Sequence, residues 1–355
     1  MTGTAPQPNI KKVKHPYYSF MKLLSFNAMY NFAVGGRGIG KTYGAKLLAV
    51  KDFIRKGEEF IYLRRYKEEL SAAIRTFMDD LKANDEFADW DFRINGKVLE
   101  ASGAEFRDEK KREWRTVGYF ISLSTTQSQK SVAFPRVTKI IFDEFIIEKG
   151  NIRYIQDENV AFNNFYSTVD RGQDKTKVFF LANSVSIMNP YFIEYSIDPA
   201  EGPFVRRAKL DDGTHFIVCE FVDSTDYAQS LKSTKFGQFI RGSEYEMYAV
   251  GNVFLDNNDT LLEFKDETAR YIYTLKTMKG TFSIWYSGAS GNYYAQERLP
   301  KEQTVNVTDP RLMEEGYRLL IRSDKRLQML RTAFGNGRLM FDTARSRNGL
   351  LEIFK

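Results

Sequence analysis

Gly35-Gly36-Arg37-Gly38-Ile39-Gly40-Lys41-Thr42 decides the fold, because it matches the phosphate-binding pattern G-x-x-x-x-G-K-[ST] at every fixed position. The apolar residues Tyr30 to Val34 precede it and predict a buried strand. Residues Thr42 to Arg55 follow it with apolar side chains at helical spacing. A glycine-rich turn with an incidental lysine would not need both flanking elements, so the sequence predicts a nucleotide-binding P-loop.

Each part of this loop has a chemical task. Glycines carry no Cβ, so successive backbone N–H groups can approach phosphates closely, and the start of the following helix adds partial positive charge. Lys41 is expected on the β- and γ-phosphates of ATP, and the Thr42 hydroxyl on Mg²⁺. All eight residues from 35 to 42 are therefore candidate nucleotide-binding residues, and Thr42 is also a candidate metal ligand.

A second motif carries the acids that such a site needs. Residues Val137 to Phe142 predict a buried strand that ends in Asp143-Glu144. Asp143 is placed to orient Mg²⁺ from the end of a neighbouring strand, and Glu144 to take the proton from an attacking water. This pair indicates the ATPase branch of P-loop proteins that has an added catalytic glutamate (ASCE). Two solvated acids at a strand end are the structural alternative.

Three further residues are weaker candidates for catalysis. Asn183 ends the predicted strand 177–183, where it could contact the γ-phosphate or equally well act as a turn residue. Arg171, in the polar loop 170–174 after a predicted helix over 160–169, could reach the γ-phosphate of a neighbouring subunit, although most loop arginines are only surface charges. Lys130 lies in another polar loop and is a candidate of the same kind.

Length and composition limit the remaining possibilities. With 355 residues, of which 43% are apolar, two globular domains are expected. One cysteine and two histidines argue against a disulfide framework and a Cys/His zinc site, and predict a reducing compartment. No apolar run has the length of a membrane span, and the first 14 residues have no hydrophobic signal core, so neither export nor membrane anchoring is expected.

The net charge of +6 favours a polyanionic partner, although a lysine-rich solvated surface explains the same excess. Contacts to a nucleic acid would then be made mainly to phosphates. The candidate residues for such contacts are Lys11, Lys12, Lys110, Lys111 and Arg112.

Periodicity and turn signals divide the chain into four parts. These are a flexible basic arm (1–16), a P-loop ATPase domain (17–222), a lid or linker (223–260) and a small α+β domain (261–355). Further elements predicted in the ATPase domain are a strand at 59–63, a helix at 68–82, a hairpin at 91–99, a loop at 107–115 and a hairpin at 203–221. The α+β domain is predicted to contain strands at 271–277, 281–287 and 292–296 and helices at 310–321 and 323–334.

Several ordered blocks between residues 24 and 195 resemble the DNA-packaging ATPases of phi29-like podoviruses. They are residues 24–42, Phe60 to Lys67, Ile141 to Phe145, Leu181 to Ser186 and Asn189 to Phe192. The resemblance fades in the last third of the chain. It implies an α/β P-loop ASCE domain with a central, mostly parallel sheet, followed by a vestigial RNase H-like nuclease domain.

The resemblance also implies a function and an assembly. A homo-pentameric ring would use Mg-ATP hydrolysis to drive double-stranded DNA through the portal into a procapsid in the cytoplasm of an infected bacterium. Lys41 and Thr42 would bind phosphate and Mg²⁺, Asp143 would orient the metal, Glu144 would be the catalytic base and Arg171 the trans-acting finger. A structural RNA is a further partner in some members.

Related terminases have a metal-dependent nuclease as their second domain, and this chain departs from that pattern. The predicted strand 271–277 has no aspartate, and Glu297, Asp324 and Asp342 do not form a recognisable acidic triad. Nuclease activity is therefore not expected. Two other functions remain open: an ATP-gated nucleic-acid or portal adaptor without turnover, and a P-loop nucleotide kinase. A GTPase is disfavoured because no N-K-x-D motif is present.

Overall fold

The computed structural model describes residues 18–83, 86–103, 112–129, 132–147, 153–187, 189–242, 261–351 and 353. The predicted basic arm lies outside the described residues, as do Lys110, Lys111, Lys130 and most of the loop at 107–115. Among the described residues, none of the helices combines the length and the apolar character needed to cross a bilayer.

A nine-stranded sheet organises the first part of the chain. Its strands are β1 (Tyr30–Gly35), β2 (Glu59–Arg64), β3 (Trp90–Asn95), β4 (Val98–Gly103), β5 (Arg115–Ser122), β6 (Val137–Asp143), β7 (Lys177–Asn183), β8 (Phe204–Lys209) and β9 (His215–Val222). Their spatial order is β3-β4-β5-β2-β6-β7-β1-β9-β8. Within the run β5-β2-β6-β7-β1-β9, every neighbouring pair of strands is parallel. Antiparallel pairing adds β4 and β3 at one edge and β8 at the other. The predicted mostly parallel sheet is confirmed.

Helices cover both faces of this sheet. They are α1 (Met21–Leu24), α2 (Lys41–Lys56), α3 (Lys67–Arg75), α4 (Asp79–Ala83), α5 (Glu158–Asp170), α6 (Pro190–Tyr195), α7 (Thr225–Ser233) and α8 (Lys235–Phe239). Phe32 of β1 belongs to the core that contains Phe162 of α5, whereas the next residue, Ala33, belongs to the core that contains Ala49 of α2. Because side chains alternate along a strand, each face of the sheet has its own core.

Strand β7 lies between the P-loop strand β1 and the strand that ends in Asp143. Asp143 therefore ends a nearby parallel strand that is separated from β1 by one strand. This inserted strand is the arrangement of the ASCE class. The register pairs Gly35 with Asn183 and Asp143 with Leu181. Since the three strands are parallel, Gly35, Asn183 and Asp143 lie at one edge of the sheet.

A six-stranded mixed sheet forms the second part of the chain. It contains β10 (Arg270–Thr277), β11 (Gly280–Tyr286), β12 (Tyr293–Gln296), β13 (Val305–Val307), β14 (Arg318–Leu319) and β15 (Leu339–Phe341), with helices α9 (Lys325–Gly335) and α10 (Ala344–Leu351). The order is β14-β13-β10-β11-β12-β15. An antiparallel meander is thus extended on both sides by parallel strands, which confirms the α+β class.

Some local predictions were wrong. The helix predicted at 68–82 is two helices, because Phe77 turns into the core and stacks on Phe60, with ring centroids 5.8 Å apart. The helix predicted at 310–321 is one short 3₁₀ turn followed by β14, and Gly316 has a φ of 82° that an α-helix does not permit. Arg115, expected in a loop, begins β5.

Candidate functional site

The predicted P-loop forms a cleft at the carboxyl edge of the large sheet. Gly40 has a φ of 86°, and helix α2 begins at the next residue, so the chain turns sharply from strand to helix. The cleft has a volume of about 240 Å³. Its lining residues are Arg37, Gly38, Gly40, Lys41, Thr42, Tyr43, Asp143, Glu144, Ala182 and Asn183. The two sequence motifs, 101 residues apart at Thr42 and Asp143, therefore meet in one site.

Lys41 is a buried cation directed at the loop that precedes it. Its Nζ donates to the carbonyl oxygens of Gly35 and Gly36 at 3.0 and 2.8 Å, and makes a longer bond of 3.4 Å to Asn183 Oδ1. Burial lowers the pKa of Lys41 to about 8, an effect that the negative charge of Asp143 partly opposes. Phosphate oxygens in the cleft would favour the charged form of this lysine further and raise its pKa.

Thr42 and Asp143 supply the oxygen atoms that a magnesium ion would need. The Thr42 hydroxyl donates to Asp143 Oδ1 at 3.0 Å, and the Tyr62 hydroxyl donates to Asp143 Oδ2 at 2.6 Å. Asp143 is 4% exposed, so these hydrogen bonds hold its carboxylate in one orientation. A hydroxyl and a carboxylate in contact beside a phosphate loop fit Mg²⁺, which prefers hard oxygen ligands.

Glu144 lies beside this pair and is held by an arginine. Arg64 Nη1 contacts Glu144 Oε2 at 2.5 Å, while Arg64 Nη2 lies 3.4 Å from Asp143 Oδ2. Burial alone would lower the pKa of Arg64, but the charges of Asp143 and Glu144 outweigh it and raise that pKa. Glu144 has a φ of 57°, which is uncommon for a residue other than glycine. Its side chain is 61% exposed and could approach a water molecule in the cleft.

Sequence reasoning missed Tyr62 and Arg64. The signal was present, because both residues stand at the carboxyl end of a predicted strand and Arg64 begins a conspicuous basic cluster. What the sequence lacked was the pairing of β2 with β6, which sets Leu63 opposite Phe142 and brings both residues to the two acids.

The other candidates differ in their relation to the cleft. Asn183 lines the cleft and contacts Lys41. Arg37 lines the rim and is exposed. Ile39 is 8% exposed and packs in the core on the α2 side, so only its backbone can serve a nucleotide.

Arg171 lies near the amino ends of the parallel strands, whereas the cleft lies at their carboxyl ends. It follows the last residue of α5, which leads back from the end of β6 to the start of the parallel strand β7. The thirteen residues of α5 span about 20 Å, so Arg171 is remote from the P-loop of its own chain. Arg171 has a φ of 54° and is exposed, and its guanidinium donates a long hydrogen bond of 3.5 Å to the Val132 carbonyl oxygen.

The acids of the second domain have structural contacts. Asp342 Oδ2 accepts from the Glu297 backbone N–H at 2.9 Å, and Asp324 caps α9 by accepting from the Arg326 N–H at 2.9 Å. Within the described residues, no group of three or more His, Cys, Asp or Glu side chains is placed to hold a metal ion.

Gly38 offers a test of how tightly the P-loop is packed. It has a φ of 86°, and an added Cβ would lie 2.2 Å from the hydroxyl oxygen of Tyr227 on α7. We expect Gly38→Ala to destabilise the fold by more than the ~1–2 kcal/mol that the left-handed conformation alone costs an alanine. Thermal unfolding measures the difference.

Gly57→Ala is the matched control, because Gly57 has a φ of 71° with nothing within 4 Å of an added Cβ. Adding Tyr227→Ala should recover part of the Gly38→Ala loss. Equal losses of stability for the two glycine variants would show that Tyr227 does not pack on the loop.

The fold and the site together define a P-loop protein of the ASCE class. A strand inserted between the P-loop strand and the acidic strand, and the grouping of Lys41, Thr42, Asp143 and Glu144 in one cleft, are the features that define it. The chain belongs to the Podovirus DNA encapsidation protein (Gp16) family, whose model matches residues 12–355.

Similar proteins agree with this assignment. The DNA packaging protein of Bacillus phage phi29 is 32% identical over 347 residues, which cover 96% of this chain and 98% of that protein. The structure of the bacteriophage phi29 genome packaging motor assembly matches with a TM-score of 0.68 and 31% identity, covering 95% of this chain and 98% of that one. The N-terminal domain of the phi29 DNA packaging ATPase matches with a TM-score of 0.50 and 36% identity, covering 59% and 98%.

Proposed function

We propose that this chain is the ATPase of a viral packaging motor, which forms a homo-pentameric ring and drives double-stranded DNA through a portal into a procapsid. The observation that carries the proposal is the single cleft in which Lys41, Thr42, Asp143 and Glu144 meet, in a member of a DNA encapsidation family.

The residues of the cleft have distinct tasks in this reaction. Lys41 and the P-loop N–H groups bind and orient the phosphates of ATP. Thr42 and Asp143 would hold Mg²⁺, which would neutralise charge on the phosphates. Glu144 takes a proton from the water that attacks the γ-phosphorus, and Asn183 orients the γ-phosphate from the adjacent strand end. The water oxygen bonds to the γ-phosphorus while the bond from that phosphorus to the β,γ-bridging oxygen breaks, so ADP and inorganic phosphate leave.

Arg171 completes the site of a neighbouring subunit. Its position at the far end of α5, a helix about 20 Å long that leads away from the cleft, supports a role in trans rather than at the nucleotide of its own chain. Lys130, outside the described residues, stays a weaker candidate for the same task.

Partners follow from this function. DNA is held mainly through its phosphates, so binding is insensitive to base sequence and weakens with salt. The ring docks at the portal vertex of the procapsid in the host cytoplasm, and a structural RNA can share that interface.

One observation favours the adaptor alternative. The 2.5 Å contact between Arg64 and Glu144 engages the proposed base, so a chain fixed in this conformation would bind ATP without hydrolysing it. In a motor, by contrast, Arg64 must release Glu144 during each cycle.

The two functions are separated by ATP hydrolysis and DNA protection assays with portal-bearing capsids. The motor predicts ATP turnover that rises with duplex DNA and with protein concentration, together with DNA that becomes resistant to nuclease inside capsids. Chains that bind ATP but hydrolyse it no faster than Glu144→Gln, with or without capsids, would establish the adaptor instead.

A further inference from the structure

A buried ion pair contacts the segment that follows β6 and contains Glu144 and Phe145, called here the Glu144 loop. Arg65 and Glu158 have side chains that are 1% and 0% exposed, and they bind through two contacts, Nε to Oε2 at 2.7 Å and Nη2 to Oε1 at 2.9 Å. The Tyr191 hydroxyl donates to the same carboxylate at 3.0 Å. Removing two charges from water is costly and often adds little net stability, so the arrangement calls for an explanation other than stability.

Arg65 also donates hydrogen bonds to the backbone of the Glu144 loop. Arg65 Nη1 donates to the Glu144 carbonyl oxygen at 3.3 Å, and Nη2 donates to the Phe145 carbonyl oxygen at 2.6 Å. Glu158 is the first residue of α5. One planar guanidinium group therefore joins the Glu144 loop to the start of α5.

Helix α5 is firmly packed along its length. Phe162, Phe165 and Val169 are buried against the sheet, and Phe162 stacks on Phe142 of β6, with the rings inclined by 13°. These contacts make α5 a rigid element rather than a flexible connection.

The far end of α5 is fixed by a second buried carboxylate. Asp170 is 2% exposed and accepts four backbone N–H groups at 2.9 to 3.0 Å, from residues 173, 174, 175 and 176. Although burial would raise the pKa of Asp170, these donors outweigh it and lower that pKa. The loop that carries Arg171 is therefore held in one conformation by its immediate neighbour.

We propose that Arg65, Glu158 and Asp170 are positioning residues that make α5 a rigid link between the Glu144 loop of one subunit and the Arg171 that it presents to the next. This inference rests on the proposed trans role of Arg171. A γ-phosphate that changes the position of the Glu144 loop would then also shift α5 and the Arg171 loop attached to it, so a subunit that holds ATP assists its neighbour better than an empty one.

A rescue experiment with full-length chains tests the link. Acceptor subunits carry Arg171→Ala, and donor subunits carry either Glu144→Gln, which retains ATP, or Lys41→Ala, which does not. ATP hydrolysis of mixed rings is measured with portal-bearing capsids and DNA. We expect ATP-retaining donors to rescue at least about fivefold better than empty donors, the lower end of typical coupling between sites. Glu158→Gln in both donors should bring this ratio close to one.

Glu59→Gln is the matched control. Glu59 is a buried carboxylate at the other end of β2, paired with Arg136 and bound by the Tyr119 hydroxyl, much as Glu158 is paired with Arg65. Because Arg136 and Tyr119 do not belong to α5, replacement of Glu59 should leave the donor ratio unchanged. Asp170→Asn loosens the attachment of the Arg171 loop to α5, so it should lower rescue by both donors and also reduce the donor ratio.

Each result bears on the proposal. An unchanged donor ratio in Glu158→Gln overturns the link. Should that variant not fold, as judged by circular dichroism, Tyr191→Phe removes one hydrogen bond and must still reduce the ratio. If neither the Glu144→Gln donor nor the Lys41→Ala donor, each with Glu158 and Tyr191 intact, rescues the Arg171→Ala acceptor, Arg171 does not act in trans. That result would overturn the proposed role of Arg171 and the link together.

Discussion

Replacing Arg171 with alanine is expected to lower ATP turnover by about 10³-fold while leaving ATP affinity unchanged, because a trans-acting arginine stabilises charge that develops only in the transition state. The side chain lies at the edge of the sheet opposite to its own P-loop. Turnover should therefore be lost in every subunit whose neighbour is mutated. Steady-state hydrolysis and nucleotide titration on the same preparation separate the two effects.

Mixing distinguishes a trans role from general damage. Arg171→Ala subunits have an intact cleft, and Glu144→Gln subunits have an intact arginine, so mixed rings should recover activity that neither variant shows alone. Lys175→Ala is the control, because Lys175 is a cation on the same loop that also donates to a backbone carbonyl, that of Pro135 at 2.6 Å. A comparable loss in Lys175→Ala would indicate that the loop conformation, not the Arg171 charge, is required.

Replacing Glu144 with glutamine is expected to lower turnover by about 10³-fold, within the range for removal of a general base, while ATP binding persists. Glutamine keeps the size of the side chain but cannot accept a proton from water. The contacts of Lys41, Thr42 and Asp143 do not involve this carboxylate, so the phosphate and metal sites should remain intact. Single-turnover hydrolysis, compared with nucleotide affinity, measures the loss at the chemical step.

Glu201→Gln controls for loss of an exposed carboxylate. Glu201 is 47% exposed and is paired with Arg207, outside the cleft, so its replacement should leave turnover unchanged. If Glu144→Gln retained most of its activity, another group would have to be the base, and the assignment of Glu144 would be wrong.

Local sequence was sufficient for elements whose causes are local. The glycines of the P-loop, the apolar strands β1, β6 and β7, and the turn at Gly96 with a φ of 60° are set by residues close in the chain, and they formed as predicted. Predictions failed where a distant contact decided the outcome. Phe77 interrupts a helical pattern because Phe60 and Phe120 offer it a buried position.

The candidate site likewise combines residues that local sequence predicted with residues that only the fold brought in. The types of residue at 35–42 and at 143–144 indicated a nucleotide, a metal and a base without any knowledge of the fold. By contrast, Tyr62 and Arg64 became part of the site only through the pairing of β2 with β6, which no local pattern encodes.

The sequence by itself determined the chemistry of this protein, because phosphate binding needs particular residue types at a fixed short spacing. The tertiary structure alone decided which strand separates the two motifs, which arginine holds Glu144, and that Arg171 lies at the far end of α5 from the P-loop cleft of its own chain. These features depend on strand order and on the path of α5 across the sheet, and both are set by contacts between residues far apart in the chain.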